Sequence, residues 1–444
     1  MRAVLPATWF PWSQSGWVGS RMTMDAWVAA AVFVVVYGLI AFDRWDRTLI
    51  AMAGGLLVVL LGIIGQEEAF AAVDLNVIFL LVGMMVIASV LARTGFFDWL
   101  AIRSVMLSHG HPIRLLLILS VVTAVVSAFI DNVTTVVLMT PIILSVAKRL
   151  DISPVPYLIA VIFASNIGGT ATLIGDPPNI LIGSADGLGF DDFLFNLAPV
   201  VILVFLAFAV IMWLVFRRHL KVPDERREAA LERTEENTIK DRPLMIRALI
   251  VTAGTIVGFL FHSALGVEPA TIAMAGAVVL MLVSGLNVHK TLQDIEWGTL
   301  FFFVGLFILV ESLIATGIVQ GIAEQLAEIT RGDPVIATLG LMWFSAGASA
   351  IIDNIPYTAT AIPIVQYLAA TGIPAEPLWW ALALGACLGG NLTIVGASAN
   401  VVVANVSDRA GYPIGFGQFL KYGSAVVLAS MVVCTAYMWV RYLS

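Results

Sequence analysis

Twelve apolar regions, separated by short polar joints, run from Ala26 to Val440, and several exceed the roughly 20 residues that a helix needs to cross a bilayer. No other feature constrains the fold as much. In lipid every backbone N–H and C=O must be bonded internally, which leaves helices or closed barrels, and these runs are far too long for barrel strands. Charged residues make up 12% of the 444, about half the share in a soluble chain. The mean hydropathy is +0.98. The net charge of −7 says little, because charge here is distributed by side of the membrane. Cys387 and Cys434 are the only cysteines, which excludes a disulfide framework and a cysteine-rich metal site. The sequence calls for no cofactor.

The apolar regions are 26–42, 48–64, 76–92, 115–146, 153–183 and 195–216, then 244–262, 271–286, 299–317, 335–368, 378–404 and 419–440. Between the two sets, residues 217–243 mix both signs of charge and read as a solvated linker. Residues 1–25 carry Trp9, Trp12 and Trp17 without the order of a signal peptide, and read as an interfacial anchor. Met22 and Met24 are alternative starts.

The second half repeats the first at an offset of 222 residues. Ile50–Gly54 returns as Ile272–Gly276, Val82-Gly83 as Val304-Gly305, and Thr94-Gly95 as Thr316-Gly317. Ser127–Asn132 returns as Ser349–Asn354, with Pro141 and Pro363 at matching distances beyond. If the regions interrupted at Asp131-Asn132 and Asp353-Asn354 are re-entrant hairpins, each repeat (26–216 and 244–444) has five crossings. An odd number forces the second repeat to insert upside down. With both termini outside and the linker cytoplasmic, all of the 23 Lys and Arg except Arg2, Arg21, Arg331 and Arg441 fall inside. That satisfies the positive-inside rule and predicts a multi-pass protein of the cell (inner) membrane.

Two kinds of polar interruption carry the chemistry. Asp131 and Asp353 sit mid-stretch in apolar sequence, where a carboxylate needs a partner, a proton or a water-filled cavity. The competing reading is that each caps a helix at a hairpin tip. The second pair is Asn166–Asn179, containing Gly168-Gly169 and Asp176-Pro177, and Gly389–Asn400. Glycine lets the backbone leave the helix, and freed amides and carbonyls can line a polar cavity at mid-membrane. Asn132, Thr134, Asn166, Thr170, Thr172, Asn179, Asn354, Asn391, Thr393, Ser398 and Asn400 are the candidate substrate ligands. Asp131, Asp176, Asp353 and the unpaired Glu311, whose repeat mate is Ser89, are the candidate proton or cation carriers.

The run Gly168–Asn179 resembles the signature of the ArsB/P-protein branch of the ion-transporter superfamily, which also holds NhaD-type sodium/proton antiporters and divalent-anion/sodium symporters. The resemblance extends from about Ala26 onward. It implies two hairpins entering from opposite sides, two broken transport helices, a scaffold of the other helices, and homodimers working by an elevator motion. In the dicarboxylate branch each tip carries Ser-Asn-Thr; here the tips read Asp131-Asn132-Val133 and Asp353-Asn354-Ile355.

Two tip aspartates repel an anion, and no Lys or Arg lies within the broken segments to compensate. A neutral or cationic cargo is therefore expected. Arsenite or antimonite efflux against inward protons is the first expectation, which brings in an arsenical-pump ATPase subunit as a candidate partner. Sodium/proton antiport is the second, and sodium-coupled organic-anion symport the third. An intramembrane enzyme is disfavoured by the absence of His-Glu-x-x-His and Gly-x-Ser-x-Gly motifs, and nothing points to nucleic acid.

Overall fold

The computed structural model describes residues 23–41, 45–217, 220 and 238–444, so the expectations for the N-terminal anchor, Arg44 and most of the linker lie outside the described residues. All the regular secondary structure of the described residues is helical, with no strand. The first half contains α1 (Met24–Ala41), α2 (Arg47–Leu60), α3 (Gln66–Ala71), α4 (Leu75–Arg93), α5 (Phe96–Ser108), α6 (Pro112–Ser127) and α7 (Asn132–Leu150). It ends with α8 (Val155–Gly169), α9 (Pro177–Asp186), α10 (Phe190–Asn196) and α11 (Ala198–Phe216). The second half contains α12 (Arg242–Leu260), α13 (His262–Leu265), α14 (Pro269–Ser284), α15 (Val288–Gln293), α16 (Trp297–Ala315), α17 (Ile318–Thr330) and α18 (Pro334–Ser349). It closes with α19 (Asn354–Ala370), α20 (Ala375–Gly389), α21 (Ser398–Arg409) and α22 (Phe416–Met438). From α3 to α6 the helices begin and end 222 residues before α15 to α18, residue for residue.

Local chemistry explains the shared boundaries. Gly95 and Gly317 hold φ at 84° and 75°, which turns α4 into α5 and α16 into α17. A side chain at either position would be strained. Asp46, Asp74 and Asp333 cap α2, α4 and α18 through backbone N–H groups of the first turn. Among the described residues five helices, at 75–93, 198–216, 242–260, 297–315 and 416–443, are long and apolar enough to cross a membrane.

Two groups of helices emerge. In the first, α2 packs along α16 and α4 along α14, flanked by α1 and α12. These two contacts are the same contact made twice. Gly305 lies against the backbone of Ala51, and Gly83 against the backbone of Ala273, each 222 residues on from its mate. A Cβ on Gly305 would stand 2.5 Å from the Ala51 carbonyl carbon, and one on Gly83 2.6 Å from that of Ala273. Because backbone cannot give way as a side-chain tip can, Gly305→Val is expected to cost at least about 2 kcal/mol. Thermal unfolding in detergent should show it as a clearly lower midpoint than wild type.

The second group contains both interrupted regions and both breaks. Helix α6 packs on α8 and α18 on α20, while α7 packs on α21 and α19 on α9, so each half's hairpin holds the other half's broken helix. Helices α11 and α22 pack on each other and on α8 and α20. Direct contacts between the groups are sparser, chiefly α16 with α19 and α4 with α9 and α7, while α5 and α17 bridge them: α5 packs on α6 and α7 as well as α4, and α17 on α19 as well as α16.

Candidate substrate and coupling site

The tips are the short turns between α6 and α7 and between α18 and α19; the breaks are the unwound segments after α8 and α20. Unwinding a helix in a low-dielectric interior orphans its carbonyls, and something must bond them. Asn179 Nδ2 donates to the carbonyls of Thr170 and Thr172 at 3.1 and 2.8 Å. Asn400 Nδ2 does the same for Gly390 and Thr393 at 2.8 and 2.9 Å. The threonines reach outward: Thr172 Oγ1 donates to the Ala128 carbonyl, and Thr393 Oγ1 to the Ala350 carbonyl at 2.5 Å. Ser127 and Ser349 complete each clasp by donating to the carbonyls of Ser165 and Ala386 at 2.7 and 2.6 Å.

Thr172, Thr393, Asn179 and Asn400 are candidate cargo ligands in the sequence; in the fold their side-chain donors are bonded to backbone carbonyls. Thr170 likewise donates to the Asn166 carbonyl at 2.7 Å. Only the tertiary arrangement reveals this, since the same residue types would serve either purpose.

The remaining asparagines form a chain across the two halves. Asn132 Nδ2 donates to Asn166 Oδ1 at 3.1 Å, and Asn166 Nδ2 donates to Oδ1 of both Asn391 and Asn400 at 2.9 Å. All four are at most 2% exposed. Two atoms of this chain have no partner: the acceptor Asn132 Oδ1 and the donor Asn391 Nδ2. Unpaired buried polar atoms are costly, so this donor and acceptor are the atoms of the chain that the protein itself leaves unbonded.

The acids divide clearly. Asp131 accepts the Thr134 N–H at 2.8 Å and Asp353 the Ile355 N–H at 3.1 Å, so both cap their hairpins' second arms. Asp176 occupies the N-cap position of α9 but makes no capping bond with its side chain. Its carboxylate instead accepts from Asn354 Nδ2, 3.2 Å from one oxygen and 3.4 Å from the other. It is fully buried. Cys387 stands beside it and donates its thiol to Asn179 Oδ1 at 3.5 Å.

No Lys or Arg lies within the broken segments, but one from outside them reaches the second tip. Arg47, at the start of α2, comes within 3.7 Å of Asp353 and bonds Ser398, whose hydroxyl donates to Asp353 at 2.5 Å. Arg47 lies in the opposite repeat from that tip, and in sequence it reads only as a flanking charge. Thr134 and Ser89 line a cavity of about 340 Å³ with Arg93, Asp294 and Glu296. Glu296 is hard to single out in sequence because it borders an apolar region rather than interrupting one. Glu311 stays outside the constellation: it sits far along α16, and its acidic neighbour is Glu68 of α3. Among the described residues no cluster of His, Cys, Asp and Glu could hold a metal ion.

Paired hairpins, paired breaks and a buried polar centre within a multi-helix apolar shell define a membrane transporter. The family model described as "Citrate transporter" matches residues 37–385, and the chain belongs to this CitMHS family. It is 44% identical to the "46 kDa membrane protein" of Mycobacterium leprae over 94% of this chain and 99% of that one. It is 43% identical to an "Uncharacterized transporter" of Mycobacterium tuberculosis over 94% of this chain and 98% of that one. The human "P protein" is 33% identical over 94% of this chain but only 60% of its own length. Two solved structures share the fold: the Alcanivorax borkumensis YdaH transporter, with a TM-score of 0.56 at 15% identity, and Neisseria gonorrhoeae MtrF, with 0.57 at 13%. The first is covered over 94% of this chain and 98% of its own, the second over 95% and 96%.

Proposed function

We propose that this protein is a proton-coupled secondary transporter of a small uncharged inorganic hydroxide, with arsenite or antimonite as the first candidates. The observation that carries the reading is Asp176: a fully buried carboxylate at a helix break that caps nothing and meets an amide from the opposite hairpin. Such a group holds a proton or a cation for at least part of a cycle. The cargo reading rests on the polar centre, which offers neutral amides with one open donor and one open acceptor. Arg47, the cation beside the second tip, already faces Asp353. A citrate anion, the substrate in the family model's description, would need positive charge that this centre does not supply. Sodium in place of the proton is the alternative coupling ion.

The recurrence of helix boundaries and of the Gly305–Ala51 and Gly83–Ala273 contacts supports two inverted repeats. The sparse direct packing between the two groups supports an elevator, in which hairpins, broken helices, α11 and α22 move as one body against α1, α2, α4, α12, α14 and α16. We further infer a homodimer in the cell (inner) membrane with the linker cytoplasmic. The test is uptake of arsenite into everted vesicles energised by a proton gradient, with citrate as a parallel substrate and sodium varied. Arsenite uptake that collapses with a protonophore and ignores sodium supports the reading. Citrate uptake without arsenite uptake would replace it with anion transport, and sodium-dependent dissipation of the gradient without arsenite uptake would replace it with cation antiport.

A further inference from the structure

The contact between Arg47 and Asp353 joins the two groups of helices. Arg47 belongs to α2, on the sparse side of the interface, while Asp353 forms the second hairpin tip and Ser398 begins α21. Three groups meet there: the guanidinium, 3.7 Å from the carboxylate; the Ser398 hydroxyl, which accepts from Arg47; and the carboxylate, which accepts from Ser398. The guanidinium also lies over the Phe302 ring of α16, 5.6 Å from its centroid, which fixes it to the scaffold side. The side chains are only 29% and 12% exposed, so solvent screens the pair less than it would at a surface. Beside them lies a cavity of about 230 Å³, lined by Ile40 and Trp45 from one group and by Ile352 and Val402 from the other. Asp46 also lines this cavity, and Tyr37 of α1 donates to the Pro356 carbonyl in the first turn behind the tip at 2.9 Å.

The repeat makes the contact one-sided. The position that matches Arg47 at the offset of 222 is Pro269, preceded by Glu268. A mirror-image arrangement, in which the first tip and Asp131 approached the start of α14, would meet an acid and an imino acid in place of a guanidinium.

We propose that Arg47, Ser398 and Asp353 form a latch that holds the moving body against the scaffold in one end state only, so that the resting protein is biased toward that state. The proposal rests on the two-body elevator reading for its meaning but not for its test. The ion pair must break in each cycle, and the opposite end state has no equivalent to hold it.

The test places cysteines at Ile40 and Val402, on opposite walls of the cavity, and reads cross-linking by a homobifunctional thiol reagent in membranes. The native Cys387 and Cys434 are buried and do not compete. Arg47→Gln and Asp353→Asn should each lower the cross-linking yield about twofold, the fall in a favoured state that a roughly fivefold change in the equilibrium constant produces, in the range such a pair can supply. Asparagine still caps α19, so the second variant keeps its hairpin and stands as the control if the first is poorly inserted. A yield equal to wild type in either inserted variant overturns the latch. If cross-linking falls as expected while vesicles show no coupled uptake of any substrate, the latch stands and the proposed transport activity is what fails.

Discussion

Asp176→Asn is expected to abolish proton movement coupled to cargo while leaving the protein folded and inserted. Asparagine matches aspartate in shape and can still meet Asn354, but it can neither release a proton nor pair with a cation. The usual risk of changing a buried polar group is an orphaned partner, at about 1–3 kcal/mol. Here one Asn354 amide proton is the group concerned, and the oxygen of the introduced amide can still accept it. Removing a buried ionisable group also removes its desolvation cost, so the net effect on stability should be within about 1 kcal/mol. Coupled uptake in vesicles should fall to background, while exchange of labelled for unlabelled cargo, which needs no net proton transfer, persists. Loss of both activities with normal expression would make Asp176 a structural or cargo-binding residue and not a coupling one.

The largest effect on stability is expected at Gly168. Its Cβ position coincides with backbone of Ala124 on α6, with carbonyl oxygen, Cα and carbonyl carbon all inside contact distance. Gly389 meets Ala346 on α18 in the same way, with Cα and oxygen at 2.5 Å. At both sites the half-helix before the break lies directly on the first arm of its own hairpin, and the Ser127 and Ser349 clasps hold this spacing. Gly168→Val therefore requires the hairpin to move away, which would take the Thr172 and Asn132 bonds with it. Overpacking of this kind costs about 1–3 kcal/mol, and more where backbone must shift. The expected result is a protein that does not survive detergent extraction as a monodisperse peak. Gly254→Ala on α12 is the control: nothing lies within 4 Å of its Cβ position, so it should match or slightly exceed wild type. Equal behaviour of the two variants would contradict the packing described at the break.

Much of the architecture was legible because the sequence states it twice. The Thr-Gly pairs at 94–95 and 316–317 mark turns at positive φ, and the Gly-Gly pairs mark places where helices end and nearly touch. A residue that must be glycine for steric reasons is visible in one dimension, and its recurrence at a fixed offset makes it unambiguous. For the candidate site, the sequence showed which polar residues interrupt the apolar regions but not which partner each one meets. Asp131 and Asp176 look alike in sequence, and both precede a helix; only the direction of the carboxylate separates a cap from an acid facing Asn354. Asn179 and Asn391 look alike as well, although one stitches an unwound carbonyl pair and the other leaves a donor open. Arg47 was illegible for a different reason. It acts across a contact between helices remote in the chain, and local patterning carries no record of such a contact.

The central claim is that Asp176 carries the coupling proton, and the most direct measurement is proton movement driven by cargo in proteoliposomes of the purified protein. An imposed arsenite gradient should move protons in the opposite direction in wild type and produce no movement above empty liposomes in Asp176→Asn. Wild-type proton movement in the variant would contradict the account.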